Sequence, residues 1–133
     1  MEGFDDHTAA ECAVRRAQVD RVALEEFIEA GGVELLDALA AAAASDAASQ
    51  FASLACLDDE PSAAAAEHAL HTLKGTGASI GLARFAAEAE RLLGSLRRGQ
   101  LPQAGESEAL ALRWEADFAA FRTLCDAYRD TEA

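Results

Sequence analysis

The apolar positions of this chain recur every three or four residues along most of its length, the period of an amphipathic helix. Val33, Leu36, Leu39, Ala43, Ala47, Phe51 and Leu54 form one series, and Ala66, Leu70, Leu73 and Gly77 a second. Leu82, Phe85, Ala89, Leu92 and Leu96 form a third. Leu110, Trp114, Phe118, Phe121, Leu124 or Cys125, and Tyr128 complete the pattern. No alternating apolar run is long enough for a strand. Breaks between the series place the helices. The first is predicted from about Thr8 to Glu29, stopping at Gly31-Gly32, because glycine accepts the left-handed turn that ends a helix. A second begins near Gly32 and ends in the acidic turn Asp58-Asp59-Glu60-Pro61. Ser62 offers the hydroxyl of an N-cap to a third helix, which runs to about Ser79. Gly81 marks a tight turn before the fourth helix, which ends at Arg97-Arg98-Gly99, where cations offset the negative end of the helix dipole. The loop from Gly99 to Gly105 leads to the last helix.

Composition supports this reading. Of the 133 residues 34 are alanine and only 11 are Val, Ile or Thr, a balance that favours helix over sheet. The expected fold is all-α: an antiparallel up-and-down four-helix bundle over residues 33–130, with an additional N-terminal helix. Short connections favour antiparallel neighbours, and one domain is expected over residues 1–133. Residues 1–19 are expected to be an N-terminal extension or helix, which either lengthens the first helix or covers one end of the bundle.

Charge narrows the partners. There are 24 acidic side chains against 11 basic ones, a net charge of −13, with a pI near 4.4. A phosphate backbone would be repelled, so no nucleic acid is expected. No apolar stretch approaches the ~20 residues that span a bilayer, so no membrane is expected either. The acidic opening, Met1 to Asp6, lacks the basic start of a secretory signal, and the expected location is the cytoplasm. Cys12, Cys56 and Cys125 are odd in number and form no Cys-x-x-Cys pair. They read as small apolar fillers rather than as a disulfide framework or a zinc site. A monomer is the expected state.

The chemistry concentrates in Glu67-His-Ala-Leu-His-Thr-Leu-Lys-Gly75. With Leu70 and Leu73 toward the core, His71 lies about 100° further round the helix, on its flank. Ala64, His68, His71, Gly75 and Ala78 share that flank, being three or four residues apart. Glycine inside a helix costs roughly 1 kcal/mol relative to alanine, so Gly75 asks for a reason. Removing the side chain one turn beyond His71 clears space over the imidazole, and Lys74 can bring an ammonium group to the same region. Charge sharpens the picture. Residues 1–70 hold three basic against fifteen acidic side chains (net −12), and residues 99–133 hold three against seven (net −4). Residues 71–98 hold five against two (net +3), so the only locally basic stretch begins at the histidine. A small positive region on an acidic protein suits a phosphoryl group or an anionic partner surface.

These residues resemble a known family. His71-Thr-Leu-Lys-Gly-Thr-Gly-Ala-Ser-Ile-Gly81 is similar to the signature of histidine phosphotransfer (HPt) domains, His-x-Leu-Lys-Gly with a glycine ten residues after the histidine. Glu26-Phe-Ile-Glu-Ala-Gly-Gly-Val-Glu-Leu-Leu36 resembles the family's entry into its first bundle helix. So does the leucine-rich helix ending in Arg-Arg-Gly, and the resemblance covers roughly residues 20–100. It implies a four-helix bundle that carries a phosphoryl group on one exposed histidine, by match His71. The phosphoryl group would come from a phosphoaspartate on a response-regulator receiver domain, or from a hybrid sensor histidine kinase, and pass to another receiver. Lys74 would stabilise phosphoryl charge and Gly75 would give access to the ring. The chain would be a phosphocarrier in a two-component phosphorelay, not an enzyme. It would need no cofactor of its own, since the Mg2+ belongs to the receiver. A shallow apolar ring would dock that receiver, using Ala64, Ile80 and Leu82, with His68, Ala78 and Ser79 nearby and Arg84 as a rim charge.

The residues are compatible with the chemistry. Neutral imidazole is nucleophilic near pH 7, because its reference pKa is about 6.5. Other constellations fail. A di-iron bundle needs Glu-x-x-His on two helices, and here His68 stands three before His71. No metal site is expected. Ser79 and the cysteines have no evident base and acid for nucleophilic catalysis, and Gly75-Thr-Gly-Ala-Ser79 lacks the lysine of a phosphate-cradling loop. Two alternatives stand beside the phosphocarrier. One is a degenerate helical module that sequesters a kinase or receiver without carrying phosphate. The other is the phosphotransfer domain of a chemotaxis-type histidine kinase.

Overall fold

The computed structural model describes residues 2–56 and 62–132. The fold is all-α. Among the described residues five helices follow one another: α1 (Glu2–Ala17), α2 (Arg21–Ala55), α3 (Ala63–Ser79), α4 (Ala83–Arg97) and α5 (Ala104–Glu132). The described residues contain no strand, only one isolated bridge between Val19 and Leu82. No helix among them is long and apolar enough to cross a membrane.

Two of the predicted boundaries move. The expected first helix, Thr8 to Glu29, is interrupted at residues 18–20, where Gln18 takes a left-handed φ of 54°. Asp20 then caps α2, its Oδ1 accepting from the Ala23 N–H at 3.1 Å. The link is tolerated because its backbone finds partners elsewhere. The Asp20 N–H donates to the Gly81 carbonyl at 2.9 Å, and Val19 bridges Leu82. Apolar residues on both sides of Asp20 carry the helical period through the break and conceal it. At Gly31-Gly32, conversely, the expected stop is a kink: Gly32 has φ 69° and ψ −166°, and the helix resumes directly to Ala55.

Other expectations hold. Ser62 Oγ accepts from the Ala65 N–H at 3.2 Å and opens α3. That helix ends at Ser79, and α4 ends at Arg97 before Gly99 with φ 89°. Glu106 accepts from the Gln103 N–H at 3.2 Å, which holds the start of α5. The expected acidic turn at Asp58–Pro61 lies outside the described residues.

α3 packs between α2 and α4, α5 packs on α1, α2 and α4, and α1 also touches α4. The apolar series meet in one core that includes Leu36, Leu70, Leu73, Phe85, Leu93 and Phe121. A row of aromatic rings crosses it from α2 through α4 to α5. Phe51 to Phe85 is 6.3 Å between centroids, Phe85 to Trp114 is 5.1 Å, and Trp114 to Phe118 is 5.0 Å. Phe85 and Trp114 are buried in the core, and Phe51 and Phe118 pack against it partly buried.

The α3–α4 turn is fixed by a close approach of backbone to backbone. Gly81 has φ 79°, and a Cβ there would lie 3.0 Å from that of Asp20 and 3.3 Å from the Asp20 nitrogen. Only glycine accommodates both the backbone twist and the approach of the α1–α2 link.

Candidate functional site

Helix α3 divides its residues as its periodicity requires. Ala66, Ala69, Leu70, Leu73, Thr76 and Gly77 are buried. Ala64, His68, His71, Gly75 and Ala78 are all exposed along one flank. The imidazole of His71 therefore stands on the surface, with small residues one and two turns away on the same strip. Nothing lies within 4 Å of where a Cβ on Gly75 would sit, so the space beyond the ring is open.

Lys74 is adjacent but already engaged. Its Nζ is 2.8 Å from Oε2 of Glu90 on α4, and both side chains are partly exposed. The other oxygen of Glu90 is 3.9 Å from Nη1 of Arg97. The Lys74 ammonium holds the Glu90 carboxyl below the usual carboxylate range against an opposing effect of burial. Arg97 and then His71 add smaller contributions in the same direction as Lys74. His71, Lys74, Glu90 and Arg97 thus form one electrostatic group spanning α3 and α4.

Arg91 and Arg84 of the basic stretch are similarly compensated. Arg91 pairs with Glu88 at 3.3 Å and approaches Glu106 at 3.9 Å. Arg84 is bound to Asp117 of α5, with its Nε 3.3 Å from Oδ2 and a second contact from Nη2 to Oδ1. Asp117 is wholly buried, and Arg84 is the cation that satisfies it. Arg98 donates to Ser95 Oγ at 3.2 Å and has no carboxylate partner among the described residues.

These contacts correct the expected docking ring. Ile80 and Leu82 are 1% and 0% exposed, because the α1–α2 link covers the turn that carries them. They belong to the core and offer no surface to a partner. Arg84 is a structural cation rather than a rim charge. Ser79 is exposed, and its hydroxyl donates to the Thr76 carbonyl at 2.8 Å. Of the residues expected around His71, Ala64, His68, Gly75 and Ala78 are exposed on its flank.

Two residues escaped the sequence reading. Glu90 carried a signal: Lys74 and Glu90 lie equally far along the chain from Leu82, so an antiparallel hairpin sets them abreast. Asp117 carried another, since it lies three residues after Trp114 and four before Phe121, an acid within the apolar stripe of α5.

Among the described residues no cluster of three or more His, Cys, Asp or Glu side chains could hold a metal ion. No family model, curated protein or solved structure matches the chain.

Proposed function

We propose that this chain is a histidine phosphotransfer protein, which accepts a phosphoryl group on His71 from an aspartyl phosphate of a receiver domain and delivers it to another receiver. The observation that carries the reading is the exposed His71 beside Gly75, where nothing would meet a side chain within 4 Å. A macromolecule can reach this imidazole along the strip of small residues, and Lys74, three residues further along the helix, would turn from Glu90 to meet the charge it would deliver.

The reading includes an antiparallel four-helix bundle of α2 to α5 with α1 added at one side. Its support is the ring of contacts in which α2 meets α3, α3 meets α4, α4 meets α5 and α5 meets α2. The chemistry asked of the chain is small. The unprotonated ring nitrogen attacks phosphorus, the N–P bond forms, and the acyl P–O bond breaks with its electron pair leaving on the receiver's carboxylate. The proton on the other ring nitrogen is not needed by the leaving group, so no general acid is required of this chain. The receiver would supply the aspartate and its Mg2+. A cytoplasmic, monomeric phosphocarrier that also meets a hybrid sensor kinase is consistent with the acidic surface.

The test is incubation of the purified chain with a phosphorylated receiver. Acid-labile, alkali-stable label is expected on the parent and none on His71→Gln. Label persisting in that variant would move the site to another residue, with His68 next in line. A parent that binds receivers without acquiring label would be the degenerate binding module instead. Label taken only from an ATP-loaded kinase would favour the chemotaxis-type reading.

A further inference from the structure

The pairing of Lys74 before any phosphoryl group arrives has a chemical consequence. The Lys74 ammonium is 2.8 Å from Glu90 and therefore not a free cation beside His71. We propose that Glu90 is a positioning residue that sets how tightly a phosphoryl group is held on His71. It keeps Lys74 in an ion pair while the histidine is empty, and it competes for the same ammonium once the histidine is loaded. The inference rests on the phosphotransfer reading above.

The geometry allows the exchange. Lys74 and Glu90 are each roughly half exposed, so neither side chain is locked by packing. Lysine is a point charge on a flexible stem with three donors, and it can turn from one anion to another without losing a fixed fork geometry. Glu90 is not stranded when it loses the ammonium, because its second oxygen faces Arg97 at 3.9 Å. The loaded histidine carries about −1.5 to −2 charges, which draws Lys74 toward the phosphoryl oxygens. The Glu90 carboxylate keeps competing for that ammonium and so loosens its hold on the phosphoryl oxygens. A group held by a shared lysine leaves more readily to the next receiver than one facing an unpaired lysine. In the leaving step the N–P bond breaks and its electron pair returns to the ring nitrogen as a receiver carboxylate oxygen bonds to phosphorus.

The experiment uses the full chain and a phosphorylated receiver, and measures the equilibrium division of label between the two. Replacing the carboxylate by an amide in Glu90→Gln is expected to shift the division toward the histidine about threefold, the scale of an exposed ion pair. The shift should shrink as salt rises, since these charges are screened. Glu90→Asp keeps the charge and should remain with the parent. In a Lys74→Ala background, Glu90→Gln should have a much smaller effect. A merely structural role would instead lower the unfolding midpoint and leave the division of label unchanged. An unchanged division in Glu90→Gln, or an equal shift with Lys74 absent, overturns the assignment of Glu90. A parent that takes no label overturns the phosphotransfer reading itself, a distinct result.

Discussion

Gly77 is bare where the ring of Phe85 lies against α3: a Cβ at position 77 would be 2.6 Å from Cδ2 of Phe85 and 3.3 Å from Cε2. Phe85 is wholly buried and touches the rings of Phe51 and Trp114, so it has no free direction in which to retreat. Two residues earlier, Gly75 faces open space. The same residue type thus has two different causes within one turn of helix: one glycine permits packing, the other leaves a surface clear.

That contrast gives substitutions of opposite sign. Gly77→Ala should destabilise the fold by about 1–3 kcal/mol, as overpacking of a filled core does. Gly75→Ala should stabilise it by about 0.5–1 kcal/mol, because its backbone is helical and the unfolded chain loses freedom. Urea unfolding of the two variants measures both. If Gly75 serves access to His71, the more stable variant should also be the slower phosphoryl acceptor in the labelling assay. A variant both stabler and equally fast would show that the open space has no part in transfer.

The ion pair of Arg84 with Asp117 predicts a large and asymmetric cost. Asp117 is buried with 0% exposure, while the Arg84 side chain is 27% exposed. Arg84→Ala leaves a carboxylate in the core without its cation and should cost about 3 kcal/mol or more. Replacing both residues together, Arg84→Met with Asp117→Leu, should recover most of that loss, since paired apolar substitutes avoid the desolvation of either charge. Thermal or urea unfolding of the single and double variants decides it. A neutral Arg84→Ala would return the arginine to the list of available surface cations.

Cys125 predicts a pH dependence. Burial pushes its thiol up to about 11, so the folded chain keeps the proton at pH values where the unfolded thiol has lost it. Across that window the native state binds more protons than the unfolded one, and stability must fall as pH rises. The contribution is fully present below about pH 8 and is lost progressively between about pH 9 and pH 11, up to roughly 2 kcal/mol. Tyr128, raised by burial and then by Glu25, adds to the loss at the alkaline end. Comparing urea midpoints near pH 8 and near pH 10 in the parent and in Cys125→Ala isolates the thiol's part: the variant should have the smaller decline. Equal declines would mean that the thiol titrates alike in both states.

The helices were legible because each apolar series has a single period and most ends carry a local signal. Ser62 and Gly99 mark boundaries through groups that act within a few residues of themselves. The break at Gln18–Asp20 was not legible, because what stabilises it lies far along the chain, in the carbonyl of Gly81 and the backbone of Leu82. The same distance explains the docking ring. Ile80 and Leu82 read as surface residues of a turn until the α1–α2 link is seen to cover them.

By itself, the sequence determined the helical class, the inward stripes and the outward flank that carries His68, His71 and Gly75, since these follow from a period of 3.6 residues. Only the tertiary structure decided which charges are free. Lys74, Arg84 and Arg91 each meet a carboxylate on another helix, Glu90, Asp117 and Glu106 respectively, and only Arg91 is closer still to one on its own helix, Glu88. Electrostatic pairing acts through space over a few ångströms, and that separation is set by how helices pack rather than by their order along the chain.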